Sequence, residues 1–410
     1  MKLFLHRHRK IPEGSLTRKA LYKLFSNRAV VVSAAIITLT ALAAVLGYLI
    51  TPDSTPYANE QHLEIAAKKP GFSVKMLKVV KNEAPRLCPF WKKWLYGCFR
   101  EYSTRPFGEY RFAGGRIILT AAGSEGDTGA VMYEYPLQDV LYALPSTDGR
   151  LDYSPGLPDL RGRIIGSDTL QMQREIIEKH IVKKRYLLGT DRFGRDMLSQ
   201  LLIGTRVSLS VGFISVLISL LFGILMGALA GFFRGWVDDL IIWFINVLWS
   251  VPTILLVIAI TFVLGKGFWQ VFIAIGLTMW VEVARVVRGQ ILGIREKEYV
   301  EAARALGFRN SRIIFRHILP NSLGPVIVIS AANFASAILI EAGLSFLGIG
   351  VQPPVPSWGT MIRENYGYII LDNPWLATLP GLCIMITVLA FMQIGNGLRD
   401  ALDVKVMPSV

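Results

Sequence analysis

Six apolar stretches, each long enough to cross a lipid bilayer as a helix, constrain this 410-residue chain more than any other feature of its sequence. A membrane-spanning helix needs about 20 predominantly apolar residues. The stretches cover residues 30–50, 207–231, 240–264, 268–287, 323–348 and 376–398. They predict an all-α polytopic membrane protein with six transmembrane helices.

The composition agrees with membrane residence. Hydrophobic residues make up 52% of the chain and charged residues 18%, which is more apolar and less charged than a typical soluble domain. A formal net charge of +14 would suggest a nucleic-acid partner in a soluble protein, but here much of the lysine and arginine flanks apolar stretches. No RNA- or DNA-binding signature accompanies these residues, so the sequence predicts no nucleic-acid partner.

The basic residues also predict the orientation, because lysine and arginine are retained on the cytoplasmic side of short membrane loops. The segment before the first stretch contains Lys2, Arg7, Arg9, Lys10, Arg18, Lys19, Lys23 and Arg28. The segment after the fourth stretch contains Arg288, Arg295, Lys297, Arg304, Arg309, Arg312 and Arg316. With both segments inside, six crossings also place the C-terminus, with Arg399 and Lys405, inside. The weakly charged connections at Lys266 and 352–375 then fall outside.

Five segments follow from this topology: a cytoplasmic tail at 1–29, the first transmembrane helix at 30–50, an extracytoplasmic insertion at 51–186, a five-helix core at 187–400 and a cytoplasmic tail at 401–410. The first apolar stretch is longer than the core of a signal peptide, so we expect an uncleaved anchor. Four apolar residues of the tail favour a short amphipathic helix on the inner membrane surface over an ordinary basic flank. They are Leu16, Leu21, Leu24 and Phe25.

The insertion is polar and rich in turn signals, and it is long enough to form a small mixed α/β domain. Residues 116–120 and 131–135 are predicted strands, and residues 169–184 a helix. Two interpretations of its function stay open, a docking surface for a binding protein and a passive structural cap. Cys88 and Cys98 lie in this segment, where a disulfide could persist, and two free thiols are the alternative. No metal-ligand spacing occurs among the cysteines.

A cytoplasmic helix is predicted at about 299–310, within residues 299–320, which read YVEAARALGFRNSRIIFRHILP. Residues 299–306 favour a helix, and Ala302, Ala303 and Ala305 give it a small-residue surface that another protein can approach closely. Gly307 can end the helix in a left-handed conformation, and Pro320 marks the entry to the fifth span.

This segment resembles the coupling loop of ABC importer permeases, whose pattern is Glu-Ala-Ala, three residues, Gly, nine residues, then Ile-x-Leu-Pro. Glu301, Ala302, Ala303, Gly307, Leu319 and Pro320 match the pattern, and His317 replaces its isoleucine. The resemblance implies that the helix sits in a groove of a nucleotide-binding subunit and transmits closure of the ATPase dimer to the spans. The residues expected to couple are Glu301, Ala302, Ala303, Arg304, Leu306 and Gly307.

Three further motifs are similar to the C-type permease of dipeptide and oligopeptide importers. They are LGTDRFGRD at 188–196, RHILPN at 316–321, and EAGLSFLG at 341–348 followed by QPPVPSWG at 352–359. The first motif contributes the candidate residues Gly189, Thr190, Asp191, Gly194, Arg195 and Asp196. The resemblance implies a type I importer fold. The long insertion exceeds the usual first outer loop of that family.

Polar residues within the spans should face the bundle or a translocation cavity, since each is costly against lipid. The candidates are Asn246, Glu282, Asn333 and Glu341. Glu282 and Arg285 are spaced to pair on one helix face, and Glu341 suits a helix-to-helix hydrogen bond as well as cargo contact. Gly223, Gly227 and Gly231 have the spacing of a close helix contact.

The chain lacks the phosphate-binding G-x-x-x-x-G-K-[ST] motif, so it is predicted not to be an enzyme and to bind no cofactor or metal, with ATP and Mg²⁺ held by separate ATPases. Besides the lipid bilayer, the partners that the resemblance implies are a second related permease chain, two ABC ATPase subunits and an extracytoplasmic substrate-binding protein. The resemblance implies a location in the bacterial inner membrane. It also implies the function of a permease subunit in an ATP-driven importer of di- or oligopeptides, which couples ATPase closure to alternating access. The alternatives are an importer for nickel or another small solute, a membrane-anchored receptor or enzyme built on 51–186, and a secondary transporter.

Overall fold

The computed structural model describes residues 16–84, 87–122, 131–147, 150–151, 153–265 and 267–402. Several predicted topology signals lie outside the described residues: Lys2, Arg7, Arg9, Lys10, Lys266 and Lys405. The described chain begins with helix α1 (Leu16–Ser26), followed by the apolar helix α2 (Arg28–Ile50). The side chain of Asn27 caps α2 by accepting a hydrogen bond from the Ala29 backbone N–H. Near its other end α2 is kinked at Gly47, whose φ of 19° and ψ of −97° are not helical.

An α/β unit follows α2. It contains the helices α3 (Phe90–Tyr96), α4 (Leu137–Leu141) and α5 (Thr169–Glu175). Its strands are β1 (Ser73–Val80), β2 (Tyr102–Ala113), β3 (Arg116–Ala121), β4 (Met132–Pro136), β5 (Ser146–Thr147), β6 (Arg150–Leu151) and β7 (Ile181–Arg185). Five strands form one antiparallel sheet in the order β4-β3-β2-β1-β7. Alternating side chains of this sheet pack against α4 and α5 around Leu77, Phe107 and Ile117, which form a core of its own.

The predicted helix at 169–184 is wrong in its last four residues. Helix α5 ends at Glu175, a π-helical turn covers Ile176–His180, and the chain then enters β7. Met76 pairs with Val182 and Leu77 with Ile181 in the sheet. The β-branched residues of this segment suit a strand, and the free edge of β1 supplies a partner that local periodicity does not reveal.

The core begins with the helices α6 (Met197–Phe233), α7 (Trp236–Trp249), α8 (Thr253–Leu264) and α9 (Phe268–Ile294). The sequence predicts one continuous span at 240–264, but α7 and α8 meet at an angle of 94°. Pro252 precedes α8 in an extended conformation, and proline can neither donate to the preceding turn nor leave its predecessor helical. The third span is therefore a broken one.

The chain continues through the helices α10 (Glu298–Ala305) and α11 (Asn310–Ile313), a π-helical turn (Ile314–Ile318), α12 (Leu319–Phe346), α13 (Trp358–Asn365) and α14 (Trp375–Leu402). Within the described residues, α2, α6, α9, α12 and α14 are long and apolar enough to cross a membrane, and the bent pair α7–α8, counted as one span, brings the number to six. This agrees with the predicted six-span helical fold, with a mixed α/β unit between the first and second spans.

Contacts between segments far apart in the sequence show which helix ends lie together at each end of the bundle. At one end Lys23 of α1 donates to the Asp400 backbone oxygen of α14 at 2.6 Å, and Arg234 after α6 pairs with Glu296 after α9 at 2.6 Å. Helix α10 lies at this end. At the other end Arg195, just before α6, pairs with Glu364 of α13, next to the α/β unit.

Candidate coupling helix and cavity

Helix α10 carries its charges where a helix dipole favours them. Glu298 and Glu301 lie in its first turn, and Arg304 lies in its last. The helix connects α9 to α11 at the basic end of the bundle, as the sequence predicts. Its two faces differ in burial, and this difference decides which residues a partner could touch.

The buried face of α10 anchors the helix to its own bundle. Val300 and Ala303 are 0% and 4% exposed, and both belong to a cluster with Ile291 of α9, Ile313 of α11 and Ile318 before α12. The sequence places Ala303 on a surface offered to a partner, but the structure turns this side chain inward. Ala303 therefore provides close packing between α10 and the spans.

The exposed face of α10 is the one available to a partner. Glu301, Ala302, Arg304 and Ala305 are exposed, and the Leu306 side chain after the helix is 73% exposed. The exposed face of α10 thus offers a partner a small residue, an apolar side chain, a negative charge and a positive charge. Of the six residues predicted to couple, Glu301, Ala302, Arg304, Leu306 and Gly307 are exposed, and Ala303 is not.

Gly307 ends α10 in a Schellman motif. Its φ is +74°, its N–H donates to the Arg304 oxygen at 2.9 Å, and the Phe308 N–H donates to the Ala303 oxygen at 3.1 Å. An added Cβ at Gly307 would meet nothing within 4 Å. The glycine is therefore favoured by backbone conformation and not by crowding within this chain.

Ring and charge contacts join α10 and the residues that flank it to three spans. Arg304 lies over the Phe232 ring of α6 at 5.4 Å, and Arg295 after α9 donates to the Phe232 backbone oxygen at 2.6 Å. Phe308 stacks on His317, which precedes α12, at 6.0 Å. A displacement of α10 would thus act on α6, α9 and α12 together.

Helices α6 and α9 pack closely along the three predicted glycines. An added Cβ at Gly223 would lie 2.5 Å from the Val283 Cβ, and one at Gly227 would lie 2.5 Å from the Ala284 oxygen. At Gly231 the nearest atom would be the Ile291 Cβ at 2.9 Å. No side chain fits between the helices at these points, so α6 and α9 form one stiff pair that leads to α10.

The motif at 188–196 forms a tight loop that joins the α/β unit to the bundle. Asp191 accepts hydrogen bonds from the backbone N–H groups of Phe193 and Arg195, and its ion pair with the Arg195 guanidinium measures 2.6 Å. Asp196 caps α6 by accepting from the Ser199 backbone N–H. Thr190 donates to the Ile65 oxygen at 2.5 Å. The motif is thus a structural junction in this chain.

Both glycines of this motif are required by close approach of backbone. Gly189 and Gly194 have positive φ values of 76° and 71°. A Cβ at Gly189 would lie 2.2 Å from the Lys68 oxygen, and one at Gly194 would overlap the His62 oxygen. The segment after α2 therefore packs directly against this loop, and a side chain at either glycine would push the two apart.

The four predicted polar span residues fall into two pairs. Asn333 and Glu341 are buried inside α12, and Glu341 accepts from the Ser345 hydroxyl at 2.6 Å. Asn246 and Glu282 are exposed on this chain. Arg285 bonds to Asn246 at 2.8 Å and lies over the Trp249 ring, and no Glu282–Arg285 ion pair occurs between these two described residues. The expected pairing on one helix face is therefore replaced by a contact between α9 and α7.

Glu282 lines a cavity of about 310 Å³ at the bend of the third span. Trp249 and Thr253 line it from the two sides of the break, and Thr278 and Ser336 line it from α9 and α12. Irregular backbone at membrane depth is tolerated where it faces protein or a cavity instead of lipid. Sequence reasoning missed this site, although the Ser250-Val251-Pro252 triplet inside an apolar stretch was a signal for it.

In the α/β unit, Cys88 and Cys98 are joined as a disulfide with a Cα–Cα distance of 6.4 Å. The bridge joins the residues on either side of α3.

Glu60 forms a buried charge cluster in the same unit, with Arg100 at 2.8 Å and Lys184 at 3.0 Å. Burial alone would raise the pKa of Glu60, but a hydrogen bond involving His62 and the charges of Lys184 and Arg100 outweigh it and hold this pKa well below its usual range. No group of three or more metal-ligating side chains occurs within the described ranges.

Comparison with known proteins assigns the family. The model for "Binding-protein-dependent transport system inner membrane component" matches residues 219–407. The chain is 45% identical over 217 residues to the dipeptide transport system permease protein DppC of Alkalihalophilus pseudofirmus, covering 53% of this chain and 71% of the relative. It is 42% identical over 218 residues to the glutathione transport system permease protein GsiD of Pectobacterium atrosepticum, covering 53% and 72%.

A third relative is the oligopeptide transport system permease protein OppC of Bacillus subtilis, 40% identical over 222 residues and covering 54% of this chain and 72% of the relative. A solved chain of the inward-facing MetNI methionine ABC transporter is 20% identical and covers 50% of this chain and 97% of that one, with a TM-score of 0.43. The identity to the three relatives runs over most of their length. The chain therefore belongs to the family of binding-protein-dependent transport system inner-membrane components, as a multi-pass ABC importer permease of the dipeptide and oligopeptide class.

Proposed function

We propose that this permease imports di- or oligopeptides as one half of a heteromeric pathway. A second related permease chain forms the other half, two ABC ATPases bind at the α10 end, and an extracytoplasmic binding protein delivers cargo at the α/β end. ATP and Mg²⁺ are held by the ATPases. Closure of the ATPase dimer pushes on α10 and on its counterpart, and the cavity between the permeases changes the side to which it opens.

The two-faced burial of α10 is the observation that carries this proposal. Val300 and Ala303 fix the helix to α9, α11 and the start of α12, while Glu301, Ala302 and Leu306 remain exposed. A helix fixed on one face and free on the other can transmit a push from a partner to the spans. The stiff α6–α9 pair then carries the displacement along the bundle.

The sidedness belongs to the same proposal. The contacts of Lys23 with Asp400 and of Arg234 with Glu296 bring α1, α10 and the end of α14 to one end of the bundle. This end carries the basic segments, so we infer that it is cytoplasmic and that residues 51–186 lie outside. Both termini are then cytoplasmic.

The cavity at the bend of the third span is the proposed start of the cargo pathway in this chain. Glu282 is its acidic group, and Thr278 and Ser336 add hydroxyls. Because Glu282 is exposed on this chain, a second permease can complete the cavity. An acidic group suits the ammonium terminus of a peptide.

The names of the relatives also favour peptides, since they are a dipeptide, a glutathione and an oligopeptide permease. A receptor anchored by the spans would have no use for the closely packed α6–α9 pair or for an anchored α10. A secondary transporter would work without an ATPase.

The test is uptake of labelled di- and oligopeptides into proteoliposomes that contain the chain, its second permease and the ATPases. We expect uptake that requires ATP and binding protein, whereas ATP-independent uptake would overturn the proposal.

A further inference from the structure

The short helix α3 presents an apolar aromatic surface that nothing in the described chain covers. Its sequence is FWKKWLY, and the disulfide between Cys88 and Cys98 closes the segment around it. Phe90 is 70% exposed and Trp91 59%. The exposed large apolar residues of this segment are Leu87, Phe90, Trp91, Leu95, Tyr96 and Phe99. This density of exposed aromatic residues in so short a segment indicates an interaction surface.

Helix α3 is attached to the side of the first span. The Trp94 indole Nε1 donates to the Val45 backbone oxygen at 2.7 Å. At its C-terminus a Cβ on Gly97 would lie 2.8 Å from the Tyr48 ring, and the Cys98 N–H donates to the Ser54 oxygen at 3.0 Å. The C-terminal half of α3 therefore lies beside the last turns of α2.

The kink of α2 at Gly47 provides the attachment. It interrupts the helical hydrogen bonding, and Arg206 of α6 donates to the Ala44 oxygen at 2.8 Å and to the Val45 oxygen at 3.1 Å. The same guanidinium donates to the Leu95 oxygen at 2.7 Å, which satisfies the last turn of α3. One arginine thus joins α2, α3 and α6.

These contacts determine the depth of α3. Val45 lies inside the apolar span, and at 1.5 Å per residue it is roughly 7 Å from the end of α2 at Ile50. This is the depth to which interfacial helices insert, about 5–10 Å into the boundary between headgroups and acyl chains. Tryptophan and tyrosine are enriched at that boundary.

The surface of α3 is continuous with the lipid-facing surface of the spans. An apolar groove of about 660 Å³ runs from α3 between α2 and α6, lined by Leu95, Ile37 and Phe213 among others. Leu42 and Leu46 of α2 are also exposed. Lys92 and Lys93 are exposed on α3 and complement the negative charge of phospholipid phosphates.

We propose that α3 is a membrane-docking element of the α/β unit, with phospholipid as its occupant. Its aromatic side chains lie in the outer boundary of the bilayer, and its two lysines contact lipid phosphates. The disulfide keeps the segment short and fixed against α2. The α/β unit is thereby held against the membrane at a second point besides the loop at 188–196, which fixes its orientation over the bundle.

The test is the accessibility of spin labels in the full chain reconstituted into nanodiscs of phosphatidylethanolamine and phosphatidylglycerol. Labels are placed at Trp91→Cys and, as a second position, Phe90→Cys in a Cys383→Ala background, with the Cys88–Cys98 pairing verified by non-reducing mapping. Matched controls are Phe213→Cys on a span, 65% exposed, and Leu170→Cys on α5, 67% exposed. Oxygen partitions into lipid, and a water-soluble nickel complex does not.

We expect the labels at 90 and 91 to show the high ratio of oxygen to nickel accessibility seen at 213. A ratio equal to that at 170 would place α3 in water and overturn the proposal. Protection from both probes would mean that a protein surface covers α3, and would overturn it as well.

Discussion

The Phe308 backbone N–H donates to the Ala303 oxygen at 3.1 Å and closes the end of α10 around Gly307. The side chain of Ala303 is buried against the bundle at the same point. The bond that ends α10 is therefore formed by the residue that anchors it. The exposed residues of α10 occupy defined positions because this end is fixed.

Replacement of Gly307 tests the importance of this helix end. Asparagine adopts positive φ more readily than other residues, and a β-branched residue does so least. Because no atom crowds the position, we expect Gly307→Asn to retain much of the peptide uptake and Gly307→Val to lose most of it, with membrane insertion unchanged in both. Uptake into cells lacking the wild-type chain measures this. Equal and full uptake by both variants would show that the left-handed helix end is not required.

Substitution of two neighbouring alanines separates anchoring from docking. Ala303→Leu overpacks a buried site, and we expect it to destabilise the isolated chain by about 1–3 kcal/mol. Ala302→Leu is exposed and should leave the stability of the isolated chain within about 0.5 kcal/mol while it weakens ATPase copurification. Thermal unfolding in detergent and a pull-down measure the two effects. A reversed pattern would contradict the assigned faces of α10.

Packing of α6 on α9 predicts a contrast between two glycine-to-alanine changes. A Cβ at Gly227 would lie 2.5 Å from the Ala284 oxygen, whereas one at Gly289 of α9 would meet nothing within 4 Å. Gly227→Ala should lower the unfolding temperature, and Gly289→Ala should leave it unchanged or slightly raised by the better helix propensity of alanine. Equal effects would show that the two helices separate more readily than the structure indicates.

The Glu60 cluster predicts a pH dependence of the α/β unit. Its folded pKa is below its unfolded one, so ionised Glu60 stabilises the fold above the ordinary carboxyl pKa of about 4.3, and this contribution is lost as the pH falls toward the folded value. Glu60→Gln leaves Lys184 and Arg100 without their shared carboxylate and should cost roughly 3 kcal/mol at neutral pH.

Hydrogen exchange of β1 and β7 in the full chain measures this loss of stability. Glu134→Gln is the control, because its pair with Arg116 is exposed on both sides and should contribute less than about 1 kcal/mol. Protection that is equal in the Glu60 and Glu134 variants would contradict the role assigned to the cluster.

Local sequence predicts the parts of this fold that depend on local chemistry. The six spans follow from apolar length, and the end of α10 follows from Gly307. The strand at 181–185 depends on β1, about 100 positions earlier in the chain, and no local pattern reports such a pairing. The break before Pro252 is concealed by the apolar residues around it. The inward side of Ala303 depends on how α10 rests on α9 and α11, which composition does not reveal.

The coupling role of α10 is tested most directly by Leu306→Glu, since Leu306 is the most exposed apolar residue at the end of this helix and is not needed by the core of the chain. The measurement is ATPase copurification with the membrane-inserted chain, together with peptide uptake. We predict a correctly inserted chain that loses both the ATPase and the uptake. Full ATPase binding with full uptake by this variant would contradict the assignment of α10 as the coupling helix.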